Sequence, residues 1–206
     1  YNREIPNLPF CPSLFKDDGM KNTLEKARYY LDHPAILQLD WKIIGPFSNL
    51  DKKGFDAVYP PEKQIDFKAE YQGLDQKVSW RQIPEHQLVD DLVDLTKVFR
   101  PDDWITMYAY TELHSPVECP ALLLLGSDDA IKLWWNGKLV HANNSYRAAS
   151  PGQDQALVKL KKGKNTLLVK LMEGIFGCGF YFQIVTNQGS AIPGLKGYPL
   201  SKKISP

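Results

Sequence analysis

The chain has 206 residues, 43% of them hydrophobic and 24% charged, which supplies apolar material for a sizeable core and excludes a disordered or fibrous chain. Lys and Arg total 25 against 24 Asp and Glu, a net charge of +1 that carries no basic excess of the kind a nucleic-acid partner requires. No apolar run approaches the ~18–20 residues of a membrane span; the longest aliphatic stretch, residues 121–125, is strand-sized.

The sequence opens at Tyr1 without an initiator Met or an apolar leader, and reads as a piece of a longer chain. Residues 1–14 are rich in Pro and lack periodicity, which predicts an extended arm. A helix follows. Asp18 caps it, Leu24, Ala27, Arg28 and Leu31 recur at helical spacing, and Pro34 stops it. After Asp40, short apolar runs alternate with Gly, Pro, Asn and Asp, the pattern of an antiparallel sandwich. Predicted strands are 41–47, 64–67, 78–83, 104–113, 120–126, 130–136, 138–142, 156–160, 165–172 and 178–186. Asn136-Gly137 within LWWNGKLV is a favoured pair for a two-residue type I′ hairpin turn. Gly163 in KKGKN supplies a second turn. The chain thus divides into an arm and helix at 1–37, a β-sandwich module at 38–190 and a tail or linker at 191–206.

Cys11, Cys119 and Cys178 are odd in number and widely spaced, so they form neither a disulfide framework nor a CxxC zinc site. One bridge with a free thiol and three buried thiols both remain open, with burial favoured for Cys119 and Cys178 in their apolar surroundings. Enzyme signatures are missing: there is no GxSxG, HExxH, Walker loop or helix-opening GxGxxG. The glycines of GIFGCGF open a strand, where they allow a bulge or a close backbone approach. His33, His86, His114 and His141 are scattered singly.

Glycosidases need two carboxylates flanking a sugar bond. Asp90-Asp91, Asp102-Asp103 and Asp128-Asp129 are sequence neighbours, and neighbours on a strand point to opposite faces. Turn formation is the expected role of these pairs. No organic cofactor is called for; the one metal the residues leave room for is a structural calcium, to which Asp128 or Asp129 could contribute as hard oxygen ligands.

Aromatic residues make up 12% of the chain, and an indole or phenol stacks on the apolar face of a sugar while polar neighbours bind its hydroxyls. In residues 130–136, Ile131, Leu133 and Trp135 point to the core, so Trp134 shares the opposite face with Lys132 and Asn136. The nearby segment adds Asn143, Asn144, Tyr146 and Arg147. Trp41, Trp80, Trp104 and Trp135 are expected in the core.

Two blocks carry a family likeness. One runs from WKIIGPFSNLDKKGFDAVYPPEKQIDF to VSWRQI; the other is SDDAIKLWWNGKLVHANNSYRAASPGQDQALVKLKKGKNTLLVKLMEGIFGCGFYFQI. Across residues 38–190 the chain resembles the galactose-binding-like jelly-roll modules that stand beside catalytic domains, often glycoside hydrolases, in large bacterial secreted and cell-surface proteins. The resemblance implies a mainly β, antiparallel jelly-roll sandwich without chemistry of its own, in a secreted, periplasmic or cell-surface setting. It also implies neighbouring domains of a longer chain as partners.

Two functions follow as expectations. The first is a carbohydrate-binding accessory module that takes a polysaccharide or oligosaccharide, with Trp134 as platform and Tyr146, Arg147, Asn144 and Asp129 as polar partners. The second is a structural or protein-interaction sandwich that docks or spaces a catalytic domain. An exposed Trp134 favours the first and a covered one the second. Arg147 has a further expected role, an ion pair with Asp154 or Asp129 that holds its loop.

Overall fold

The computed structural model describes residues 37, 39–89 and 91–197. The predicted arm and helix, Cys11 and the end of the tail lie outside the described residues. Within them the fold is mainly β and every strand pair is antiparallel. No helix among them is long and apolar enough to cross a membrane.

The strands are β1 (Lys42–Ser48), β2 (Glu70–Gln72), β3 (Lys77–Ser79), β4 (Arg81–Gln82), β5 (Leu88–Val89), β6 (Leu92–Asp94) and β7 (Ile105–Ser115). They continue with β8 (Cys119–Asp128), β9 (Ala130–Trp135), β10 (Lys138–Asn143), β11 (Asp154–Leu160), β12 (Gly163–Met172), β13 (Gly179–Thr186) and β14 (Lys196–Gly197). One sheet runs β10-β9-β12-β7-β1-β4, with β14 also paired to β7; the facing sheet runs β11-β8-β13-β6-β5. Asn136 and Gly137 take φ of 51° and 78°, the left-handed values that the β9–β10 turn requires.

Alternation decides which side chains meet between the sheets. Ile131, Leu133, Leu167 and Val169 from the first sheet pack against Leu123, Leu125, Phe180 and Phe182 from the second, all of them buried. Trp41 meets Phe180 edge-on, with ring centroids 5.1 Å apart. The opposite face of the first sheet carries its own cluster: Ile44, Phe47, Val78, Trp80, Tyr108, Tyr110 and Leu168. Segment 49–83 supplies the cover.

That cover corrects one expected strand. Residues 64–67 pair with no strand, because Pro60-Pro61 opens the short helix α1 (Pro60–Lys63) just before them. Ile65 and Phe67 instead lie over the outer cluster, Phe67 edge-on to Trp80 at 5.6 Å. The expected strand 78–83 divides at Trp80 into β3 and β4, which belong to different sheets.

Candidate functional site

Register gathers several strand ends at one end of the sandwich. Met172 of β12 stands opposite Thr106 of β7 and Ala130 of β9, and Ser48 of β1 stands opposite Ile105. In the facing sheet, Gly179 pairs with both Asp128 and Asp94. The loops after β1, β6, β8, β10 and β12 therefore converge, and the polar residues with no place in the core collect there.

At their centre are three carboxylates. Asp128 ends β8, Asp129 stands in the turn before β9 and Glu173 directly follows β12. One oxygen from each can be chosen so that all lie within 4.8 Å of one another. The expectation that neighbouring acids diverge fails for this pair because Asp129 has left the strand, so alternation no longer governs it. The peptide between Asp128 and Asp129 is cis.

The three differ in what holds them. Asp129 Oδ1 accepts the Arg147 backbone N–H at 2.9 Å, and its Oδ2 accepts that of Gly174 at 3.1 Å. Glu173 is 1% exposed, yet neither of its carboxylate oxygens has a hydrogen-bond partner of ordinary geometry, and only the Gly177 backbone leans toward it. Burial, with Asp129 and Asp128 adding like charge, pushes the Glu173 carboxyl up to about 9. Burial and Asp129 raise Asp128 to about 6. Three negative charges cannot share this space uncompensated; either protons or a cation must offset them.

The donor set fits a hard cation. Carboxylate oxygens are its preferred ligands, and oxygens within 4.8 Å of one another are spaced on the scale of a calcium coordination shell, whose oxygens stand at about 2.3–2.6 Å from the ion. Glu173 keeps both oxygens for it. Asp128 is half-buried, the more accessible counterpart of the enclosed Glu173.

The surrounding frame is rigid. Asn49, fully buried, donates its side-chain amide to the Glu173 carbonyl at 2.9 Å and accepts the Gly54 N–H at 3.1 Å. A Cβ on Gly54 would fall 2.6 Å from that Asn49 oxygen and 2.2 Å from Thr106 Oγ1, so glycine is required for the close approach. Trp104 exchanges backbone bonds with Asn49 and Gly174 at 2.8 and 2.7 Å. It is half-buried and borders a recess with Leu50, Asp51 and Lys52, unlike Trp41, Trp80 and Trp135, which are buried as expected.

Of the residues singled out in the sequence, Asp129 and Tyr146 stand at this cluster. Tyr146 is 40% exposed, its ring lies over Gly174, and the Lys52 ammonium sits 3.9 Å from its centroid. Arg147 contributes its backbone; its guanidinium pairs with Asp154 and donates to Ser127 Oγ at 3.1 Å. The expected ion pair thus forms with Asp154. Asn144 is exposed on the same loop.

Trp134 stands apart. It pairs with Leu168 and Leu139 in register, four positions along β9 from Ala130, or about 13 Å at strand rise. Its indole is half-buried against the outer cluster. Half-buried, it is neither the open platform nor the fully covered residue that would separate the two expected functions. Cys178 is a buried thiol, its Sγ 3.2 Å from Met107 Sδ, whereas Cys119 is half-buried at the edge of the core.

Glu173, Asn49, Trp104 and the loop 174–177 were not singled out as site residues. The one local signal was an acid ending an apolar strand immediately before the glycines of MEGIFGCG.

No family model matches the sequence, and no curated protein does. Among solved structures, a β-glucosidase from Kluyveromyces marxianus in complex with glucose aligns at 13% identity and a TM-score of 0.44, over 70% of this chain and 16% of that one. An anti-sigma factor domain-containing protein from Clostridium clariflavum aligns at 12% and 0.44, over 80% of this chain and 48% of that one. A PA14 sugar-binding domain from an RTX adhesin aligns at 15% and 0.31, over 45% of this chain and 46% of that one. In each case this chain spans less than half of the other's length.

Proposed function

We propose that the chain is a non-catalytic carbohydrate-binding accessory module of a larger secreted or surface protein, and that it binds its glycan through a divalent cation held by Asp128, Asp129 and Glu173. The observation that carries this reading is Glu173, buried with both oxygens unpartnered beside two further carboxylates. A calcium ion takes six to eight oxygen ligands, more than three carboxylates provide, and paired sugar hydroxyls are neutral oxygens suited to complete the set. Tyr146 and Trp104, each partly exposed around the carboxylates, supply the flanking apolar surface that sugar C–H faces use.

Burial speaks for binding over hydrolysis: cleavage needs two carboxyls flanking the glycosidic bond, and Glu173 is too enclosed to reach one.

Affinity electrophoresis through polysaccharide-containing gels tests this, run once with calcium chloride and once with EDTA. Retardation by at least one polysaccharide in calcium, abolished by EDTA, is the expected result. Retardation that ignores EDTA moves the ligand away from the carboxylates. No retardation with any polysaccharide leaves the architectural role, in which the module docks a neighbouring domain, as the better account.

A further inference from the structure

Beside the carboxylates, and not used by them, lies a cavity of about 280 Å³ between the loop after β6 and the loop after β12. Thr96, Lys97, Asp102 and Asp103 form one wall; Phe176 and Gly177 form the other. Phe176 is 93% exposed, more than any other large hydrophobic residue among those described. It gains nothing there from burial, and its backbone holds φ at 80°, a conformation that phenylalanine rarely takes. Ile175 beside it is 46% exposed. The cavity adjoins the carboxylates through Gly177, on which a Cβ would sit 3.7 Å from Asp128 Oδ2.

Resting on the carbohydrate-binding reading, we infer that this cavity is the sugar subsite and that Phe176 is its stacking surface for a pyranose ring. Size limits it to little more than one ring, since the volume falls below the roughly 300–1,000 Å³ of sites for larger ligands. An exposed phenyl ring on one wall suits the apolar face of a pyranose. The other wall offers hydroxyl partners of both kinds: Lys97 donates and Asp103 accepts, while the Thr96 hydroxyl is engaged with the Cys178 backbone.

The full chain is run in calcium through gels containing neutral polysaccharides (galactan, xyloglucan, mannan) and acidic ones (polygalacturonate, alginate). Wild type, Phe176→Ala and Phe176→Trp are compared, with melting temperature and calcium-induced thermal shift measured on each. The inference expects retardation by at least one of these polysaccharides, at least tenfold weaker in Phe176→Ala and retained in Phe176→Trp, with both thermal readouts unchanged. Calcium-dependent retardation equal in wild type and Phe176→Ala overturns the subsite and leaves the proposed function standing. A wild type retarded by neither set overturns the proposed function and the subsite with it.

Discussion

Gly174 donates its backbone N–H to Oδ2 of Asp129 at 3.1 Å, so the residue after Glu173 fixes the carboxylate that Glu173 faces. The Arg147 N–H holds the other oxygen of Asp129 from a different loop. Asp129 is therefore positioned by the fold, while the Glu173 carboxyl is buried with no hydrogen-bond partner of ordinary geometry.

Calcium should accordingly stabilise the protein, and Glu173 should be the residue through which it does so. At a concentration one hundred times its dissociation constant, a ligand that binds only the folded state adds about 2.7 kcal/mol. Glu173→Gln keeps the shape and removes the charge. Its melting temperature in EDTA should equal or exceed that of wild type, and the calcium-induced rise should disappear. A Gln variant with the full calcium shift, read by differential scanning fluorimetry, would sink this assignment.

Trp134 should behave as a packing residue. Its indole covers part of the outer cluster while remaining half-exposed, so Trp134→Ala should cost about 2 kcal/mol, below the roughly 3–5 kcal/mol of a fully buried aromatic. Calcium-dependent glycan binding should survive. Urea unfolding and affinity electrophoresis on the one variant check both halves, and lost binding at unchanged stability would restore Trp134 as a platform.

The strands that build the sandwich were legible because β9 alternates between core and half-buried positions, while β12 and β13 are apolar runs bounded by glycines and turn residues. Their ends were not. What brings Asp128, Asp129 and Glu173 together is strand register, Gly179 opposite Asp128 and Met172 opposite Ala130, and register depends on pairings between residues far apart in sequence. The face of Trp134 was read correctly from period-2 alternation. Its neighbours were not, because they come from segment 49–83, whose path over the sheet follows from the Pro60-Pro61 helix and an unpaired stretch that periodicity reads as strand. Arg147 and Asp154 lie in one loop and at its end, close enough in sequence for their pairing to be anticipated.

That pair gives a pH dependence. Burial raises the Asp154 carboxyl, but hydrogen bonds from Arg147 and Asn143 and the charge of Arg147 outweigh it and hold the group below its usual 3.8. A depressed folded value stabilises above the unfolded value, and the contribution fades as pH falls through the folded one. Wild type should therefore hold an advantage over Asp154→Asn at neutral pH, narrowing below about pH 4 as the carboxyl protonates. Denaturant unfolding of both proteins from pH 7 to pH 3 measures the gap, and a gap that widens toward acid contradicts the assignment.

Lys170 offers the strongest test of the outer face. Its ammonium is fully buried on the first sheet, 2.8 Å from Glu62 Oε1 and 2.5 Å from the Ala57 carbonyl, with Tyr108 donating to the same Glu62 oxygen at 2.5 Å. Glu62 comes from α1, so this pair fastens the covering segment to the sheet. Burial lowers the lysine pKa while Glu62 opposes that shift, which marks the carboxylate as the partner that keeps the charge tolerable. Removing one member of a buried pair costs about 3–5 kcal/mol, because the survivor is left uncompensated. Glu62→Gln should lose that amount in urea unfolding at neutral pH. Glu62→Gln combined with Lys170→Met, which buries an apolar chain of similar length, should recover most of it. A double variant as unstable as the single one would mean that the ammonium itself, through Ala57, holds the segment down, and that Glu62 serves only to neutralise it.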